Sequence, residues 1–241
     1  MAYGAAMMLH PTKHPTPSPE ARATLNAQAL ACRRGQRLLF AGLDFSLERG
    51  RILILRGPNG SGKTSLLRLL AGLSRPEAGQ LFWCGMAVPP SGAGLSEQVH
   101  YVGHSSGMKA AFSVTDNLRF WARYLGGAED RLEASLEALD LEALAHLPVG
   151  ALSAGQQRRV SLARLLVAPR PLWLLDEPTV ALDSDNQHRL TGLIQTHVQN
   201  GGMAVIATHT PLGVDGASLD LRDFQPEAQH MAHDPLLAFE D

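Results

Sequence analysis

The chain has 241 residues, with 21 Lys or Arg against 23 Asp or Glu and a formal charge of −2, a balance that argues against a nucleic-acid partner held by bulk basic charge. Hydrophobic residues at 45% and charged residues at 18% allow a sizeable core and argue against disorder along the whole chain, and the length sets one domain with room for a subdomain. No apolar run reaches the roughly 18 residues of a membrane-spanning helix, and the best stretch, 162–175, is broken by Arg164, Pro169, Arg170 and Pro171, so this chain alone is no pore.

In chain order, residues 1–22 read as a disordered extension: Pro11, Pro15, Pro17 and Pro19 interrupt it and no hydrophobic period runs through it. Nothing basic precedes the short apolar run 5–9, so a secretory signal is not indicated. Strands are expected over 27–31, 43–47 and 51–55. The two cysteines, Cys32 and Cys84, are neither clustered nor at CxxC spacing, which fits a reducing compartment and not a disulfide framework.

The third strand runs into Gly57-Pro58-Asn59-Gly60-Ser61-Gly62-Lys63-Thr64 and then a helix over 63–71, which is strand, GxxxxGK[ST] loop and helix in the order a P-loop requires. Glycine at 57, 60 and 62 lets the backbone turn so that successive N–H groups converge on phosphate at the positive end of the helix. Lys63 would neutralise β and γ phosphates and Thr64 would offer its hydroxyl to Mg²⁺; the plain alternative is a glycine turn opening an ordinary helix.

Strands follow at 80–83 and 99–102, then helices over 115–124, 130–139 and 154–167 with almost no strand signal between, so a mostly helical subdomain is expected over about 105–168. The third of these helices opens at Leu152-Ser153-Ala154-Gly155-Gln156, where Ser153 is a plausible N-cap and the exposed helix start a second anion site, or simply a capped structural end. The apolar strand 172–175 ends in Asp176 and Glu177. Asp176 can hold Mg²⁺ through water and Glu177 can polarise the water that attacks a γ-phosphate, provided that a turn at the strand end brings both acids to one side. A helix over 184–199 and a strand over 204–207 complete the alternation, and 225–241 reads as a flexible tail in which His230 and His233 stand at ligand spacing among prolines and charges.

These motifs, in this order, resemble the nucleotide-binding subunit of ABC transporters over residues 25–222, within an ATPase domain expected over 23–224. Gly57 to Thr64 is similar to its Walker A loop, LSAGQ to its signature with alanine for the usual glycine, LLDEP to its Walker B strand, Ala181-Leu182-Asp183 to its D-loop and Ala207-Thr208-His209 to its switch histidine. The resemblance implies an α/β P-loop NTPase: a RecA-like, mainly parallel sheet core, an inserted helical subdomain and an ABC-type antiparallel β subdomain. It also implies an ATP-dependent homodimer in which Ser153, Gly155 and Gln156 of one subunit cap ATP held by the P-loop of the other. The resemblance further implies that Asp183 belongs to the nucleotide-binding residues and that His209 contacts the γ-phosphate.

Two departures narrow the family. His104 stands where a glutamine is usual, so that it would take the Mg²⁺ and water contact, and Arg33 and Arg34 stand where an aromatic ring usually stacks on adenine. With VHYVGHSSGMKAAFSVTDNLRFW and LSAGQQRRVSLARLL, the chain is similar to the CcmA family of ATPase subunits in cytochrome c biogenesis. That family implies a peripheral protein on the cytoplasmic face of the bacterial inner membrane, docked on CcmB-like and CcmC-like integral membrane subunits and coupling ATP to haem export or haem-chaperone release. Direct haem binding is not expected, since the ten histidines are scattered. The segment 105–124 is the expected membrane-subunit contact, with Phe112, Phe120 and Trp121 either its anchors or core residues. An ABC exporter with unrelated cargo is the alternative in the same fold; a P-loop kinase would leave LSAGQ and ALD unexplained.

Overall fold

A hairpin opens the chain in the computed structural model, which describes residues 24–226; the expected extension 1–22 and the tail from 227, with His230 and His233, lie outside the described residues. Strands β1 (Thr24–Arg34) and β2 (Arg37–Glu48) pair antiparallel across a turn at Gly35 and Gln36, and β4 (Ala78–Trp83) and β5 (Met86–Ala87) complete a four-stranded sheet of order β2-β1-β4-β5. Both hairpin strands are longer than expected. Ala29, at φ 47°, makes a bulge that breaks the apolar alternation, and its N–H donates to Asp44 Oδ1 at 2.7 Å. The exposed arginines 33, 34 and 37 at the hairpin tip hid the rest, because ladder pairing does not require apolar side chains there.

The second sheet is five-stranded and parallel, in the order β6 (Val99–Val102), β7 (Leu172–Asp176), β8 (Met203–Ala207), β3 (Ile52–Arg56), β9 (Ala217–Asp220). Its middle strands β7 and β8 are buried at every residue, the continuous apolar run of a sheet covered on both faces. Alternation along the strands divides the core in two. Leu53, Leu55, Leu172, Leu174 and Val205 pack with α1 (Lys63–Leu70) and the hairpin; Ile52, Ile54, Trp173, Leu175 and Ile206 pack toward α2 (Val114–Tyr124), α3 (Leu132–Ala138), α4 (Ala154–Val167) and α5 (Ser184–Gln199). The helix starts carry their caps: Ser113 on α2, Ser153 on α4 and Asp183 on α5 each accept from a backbone N–H three residues on. Between β6 and β7 the described chain has helices, 3₁₀ turns and one isolated bridge, Ser113 with Pro148. Strands β5 and β9 were not expected, being two residues at an edge and the half-exposed ASLD.

His100 sits on β6 at 2% exposure, with Nε2 donating to the Ala168 carbonyl at 2.5 Å, and burial, reinforced by Arg164, Arg170 and His197, pulls its pKa down from 6.5 to about 4. The unfolded chain therefore takes up a proton near pH 6.5 that the folded chain refuses until about pH 4. Stability is full above pH 7 and is expected to fall by about 2 kcal/mol from this group between pH 7.5 and 5. His197, stacked on Trp173 with ring centroids 3.9 Å apart and also lowered by burial, acts with the same sign. Urea unfolding at the two pH values checks this, and His100→Gln, which does not titrate, is expected to lose less stability on acidification.

Candidate active site

The loop between β3 and α1 makes its turn with Gly57 at φ 130°, Gly60 at 79° and Gly62 at 107°. Gly62 is the N-cap of α1, and a Cβ there would come within 3.0 Å of Phe40 Cδ1, so the helix starts without a side-chain cap because none fits. Its first N–H groups and the helix dipole are left for an anion, and no acidic residue occupies the first turn. Lys63 is 8% exposed, and its Nζ donates to the loop's own carbonyls, Gly57 at 2.7 Å and Pro58 at 3.1 Å. Desolvation lowers the Lys63 pKa, and the charges of Glu177, Asp176 and Asp220 oppose that shift.

Across from the loop, Thr64 Oγ1 donates to Asp176 Oδ2 at 2.8 Å. The turn that the two acids require is present: Glu177 leaves β7 at φ 45°, its N–H donating to the Ala207 carbonyl at 2.8 Å. Glu177 Oε2 accepts from the His209 N–H at 3.3 Å, while Oε1 is buried with no hydrogen-bond partner and lies 3.5 Å from His209 Nε2. That imidazole nitrogen also stands 3.2 Å from Lys63 Nζ and 2.9 Å from Asn59 Oδ1, so its tautomer selects between accepting from the ammonium and donating to the amide oxygen. Ser61 Oγ is likewise buried and unpartnered.

One cleft of about 210 Å³ is lined by Asn59, Gly60, Gly62, Lys63, Thr64, Asp176, Glu177 and His209 and reaches Arg34 and Leu39. Of the two arginines proposed for adenine, Arg34 is at this cleft and Arg33 pairs with Glu77 at 3.3 Å. His104 is exposed and opens instead on an adjoining cleft that shares Asp176 and Glu177 and adds Ser106, Gln157, Arg158 and Ser161. The signature segment does not line the loop's cleft. Ser153 and Gln156 cap each other, the serine N–H donating to Gln156 Oε1 at 2.8 Å and the Gln156 N–H to Ser153 Oγ at 3.3 Å. A Cβ on Gly155 would lie 2.5 Å from the Ala181 carbonyl oxygen, which puts the signature against the D-loop, where Asp183 caps α5. Asp183 has a lowered pKa because the Asn186 backbone and side-chain amides bond its carboxylate.

Sequence reasoning missed two residues. Asp220, on β9, adds a third negative charge near Lys63, and nothing in ASLD marks it. Arg158 bonds the backbone around the acids, but in the sequence it is one arginine of an adjacent pair.

Uncapped N–H groups at the start of α1, a lysine bonded only to carbonyls and histidine, a hydroxyl beside a carboxylate and an unpartnered glutamate oxygen fit a triphosphate with a hard divalent cation. Fold and site together define an ATP-binding subunit of the ABC transporter class, an ATPase, and the ABC transporter family model matches residues 40–180. The chain is 47% identical, over 89% of its length and 92% of the relative's, to the cytochrome c biogenesis ATP-binding export protein CcmA of Rhodospirillum rubrum. It is 48% identical, over 81% and 92%, to the CcmA of Paramagnetospirillum magneticum. The chain belongs to the CcmA family. Among solved structures, a putative ABC transporter ATP-binding protein from Pyrococcus furiosus shares the fold with a TM-score of 0.74 at 24% identity, over 84% of this chain and 100% of that one.

Proposed function

We propose that this chain hydrolyses ATP as the motor subunit of an export system for cytochrome c biogenesis, with haem or a loaded haem chaperone as the cargo moved. Glu177 is the general base: it takes the proton from the water that attacks the γ-phosphorus, the bond to the ADP oxygen breaks, and orthophosphate leaves. The observation that supports this role is Glu177 Oε1, buried and unpartnered beside Lys63 and His209. Lys63 leaves its loop carbonyls for the β and γ phosphates, and His209 holds the γ-phosphate against the Glu177 carboxylate. Thr64, Asp176 and, through the adjoining cleft, His104 would hold Mg²⁺, which would neutralise phosphate charge there.

The signature does not line the loop's cleft of its own chain, which supports a two-chain site: Ser153, Gly155 and Gln156 of one subunit close on ATP held by Gly57 to Thr64 of the other, with Asp183 at the junction. Closure would add charge-assisted hydrogen bonds of about 1.5–3 kcal/mol each to the γ-phosphate, and hydrolysis would remove them. Among the described residues no helix is long and apolar enough to cross a membrane.

The partners are CcmB-like and CcmC-like integral membrane subunits, engaged by residues 105–124 of a helical subdomain over about 105–168, on the cytoplasmic face of the inner membrane. Phe112 and Phe120 are each 55% exposed and Tyr124 is 71% exposed; with Arg119 and Arg123 they line one open groove, whereas Trp121 turns inward under Arg164. The three expected anchors thus divide into two outward rings and one packed ring, and Tyr124 joins the outward pair, stacked on Phe120 at 5.9 Å. Copurification from membranes tests the assignment. The chain is expected to carry both membrane subunits, and Phe112→Asp with Phe120→Asp is expected to release them while ATP affinity stays within about twofold, since neither ring lines the nucleotide cleft. Retention of unrelated membrane proteins in place of these two would contradict the cargo.

A further inference from the structure

We propose that Arg158 is a positioning residue for ATP hydrolysis: one guanidinium anchored in α4 holds the backbone turn that carries Glu177 together with the start of the loop that carries His104. The inference rests on the reading of Glu177 as the base.

Arg158 Nη2 donates to the carbonyls of Asp176 at 2.8 Å and Glu177 at 3.0 Å, Nε donates to the carbonyl of Pro178 at 3.2 Å, and Nη1 donates to the carbonyl of Gly103 at 2.8 Å. All four acceptors are main-chain oxygens, so the side chain fixes backbone and leaves both carboxylates free. The turn needs such a hold. β7 leaves the sheet after Asp176, where its ladder with β8 ends, and the next carbonyls must find partners elsewhere. Glu177 also stands at φ 45°, a conformation that a side chain disfavours and that surrounding bonds must maintain. A planar five-donor fork suits several carbonyls at fixed angles; a lysine ammonium offers no such plane.

The position of Arg158 gives it a second consequence. It lines the cleft of His104, Gln157 and Ser161, which shares Asp176 and Glu177 with the P-loop's cleft, and does not itself line the P-loop's cleft, so its loss is expected to spare nucleotide held by the loop of its own chain. It lies in the second turn of α4, the helix that Ser153 caps. One side chain therefore couples the signature helix to the acid turn and to Gly103, the residue before His104. Its neighbour Arg159 differs: it donates to Leu139 and Asp140, within the helical region alone.

The test uses the full chain and four variants, Arg158→Gln, Arg158→Lys, Arg159→Lys and Glu177→Gln, with kcat, KM, ATP affinity at equilibrium and thermal unfolding measured on each. Displacing a reacting group by about 1 Å costs about a hundredfold in rate. Arg158→Gln is accordingly expected to lose about a hundredfold in kcat with ATP affinity within about twofold of the parent, Arg158→Lys to fall between, and Arg159→Lys to change melting but not kcat. A folded Arg158→Gln as fast as the parent, or one whose affinity falls as far as its kcat, overturns the inference; if Arg158→Gln does not fold, Arg158→Lys decides by the same split. Normal turnover by Glu177→Gln would sink the base reading and this inference with it, whereas a dead Glu177→Gln beside a fast Arg158→Gln sinks this inference alone.

Discussion

Glu177→Gln is expected to cut ATP turnover by about two to four orders of magnitude, the range for removing a positioned general base, while ATP still binds. Glutamine keeps the volume and an acceptor for the His209 N–H, now 3.3 Å from Oε2, but it cannot take a proton. The loop residues proposed to hold the nucleotide, Gly57 to Thr64, are untouched, so affinity is expected to remain within about threefold, less than one kcal/mol. With hydrolysis stopped and binding intact, the proposed two-chain site would lose its hydrolytic route to reopening, and the variant is expected to sediment as a dimer with ATP and as a monomer without it. Ordinary turnover, or an ATP-bound monomer, would remove Glu177 from the base role or the second chain from the site.

Lys63→Ala acts at the other step. Its ammonium lies among Glu177, Asp176 and Asp220, whose charges raise its pKa against the desolvation that lowers it, and it lines the loop's cleft together with the glycines, the acids and Arg34. Without it a triphosphate meets carboxylates uncompensated, and one or two charge-assisted bonds are lost, worth about 1.5–3 kcal/mol each. ATP affinity is expected to fall by about a hundredfold or more, read by equilibrium binding of a fluorescent ATP analogue. Loss of the bonds to the Gly57 and Pro58 carbonyls also loosens the loop, so a lower melting temperature should accompany the weaker binding. Unchanged affinity would contradict the placement of phosphate at this lysine. The two variants separate binding from chemistry, and the adjoining positions Lys63 and Glu177 thereby report on different steps of one site.

Much of this site is local in the chain, which is why it was legible. The P-loop must be strand, glycines, lysine and helix in that order, and helix α4 over Ala154–Val167 and helix α5 over Ser184–Gln199 announce their starts with Ser153 and Asp183. The need for a turn between Asp176 and Glu177 also followed from strand alternation, and φ 45° at Glu177 meets it. What stayed hidden depends on contacts made across the fold. Asp220 reaches the Lys63 neighbourhood only because β9 pairs with β3, with Arg56 opposite Asp220. Arg158 and Arg159 are indistinguishable by type and spacing, yet one bonds the acid turn and the other bonds Leu139 and Asp140. Arg33 and Arg34 were equal candidates until hairpin pleating sent one to Glu77 and the other to the cleft. Burial likewise separated Trp121 from Phe112 and Phe120, since helix spacing alone does not say which side of α2 the rest of the protein covers.

If ATP hydrolysis at Glu177 drives a step of cytochrome c maturation, haem staining of covalently assembled c-type cytochromes reads it in cells whose own copy is replaced by Glu177→Gln at normal expression. Those cells are expected to lose the stained cytochromes and to recover them when the unmodified chain is restored. Normal c-type cytochromes in those cells, with ATP turnover abolished in the purified variant, would contradict it and assign this ATPase to a different cargo.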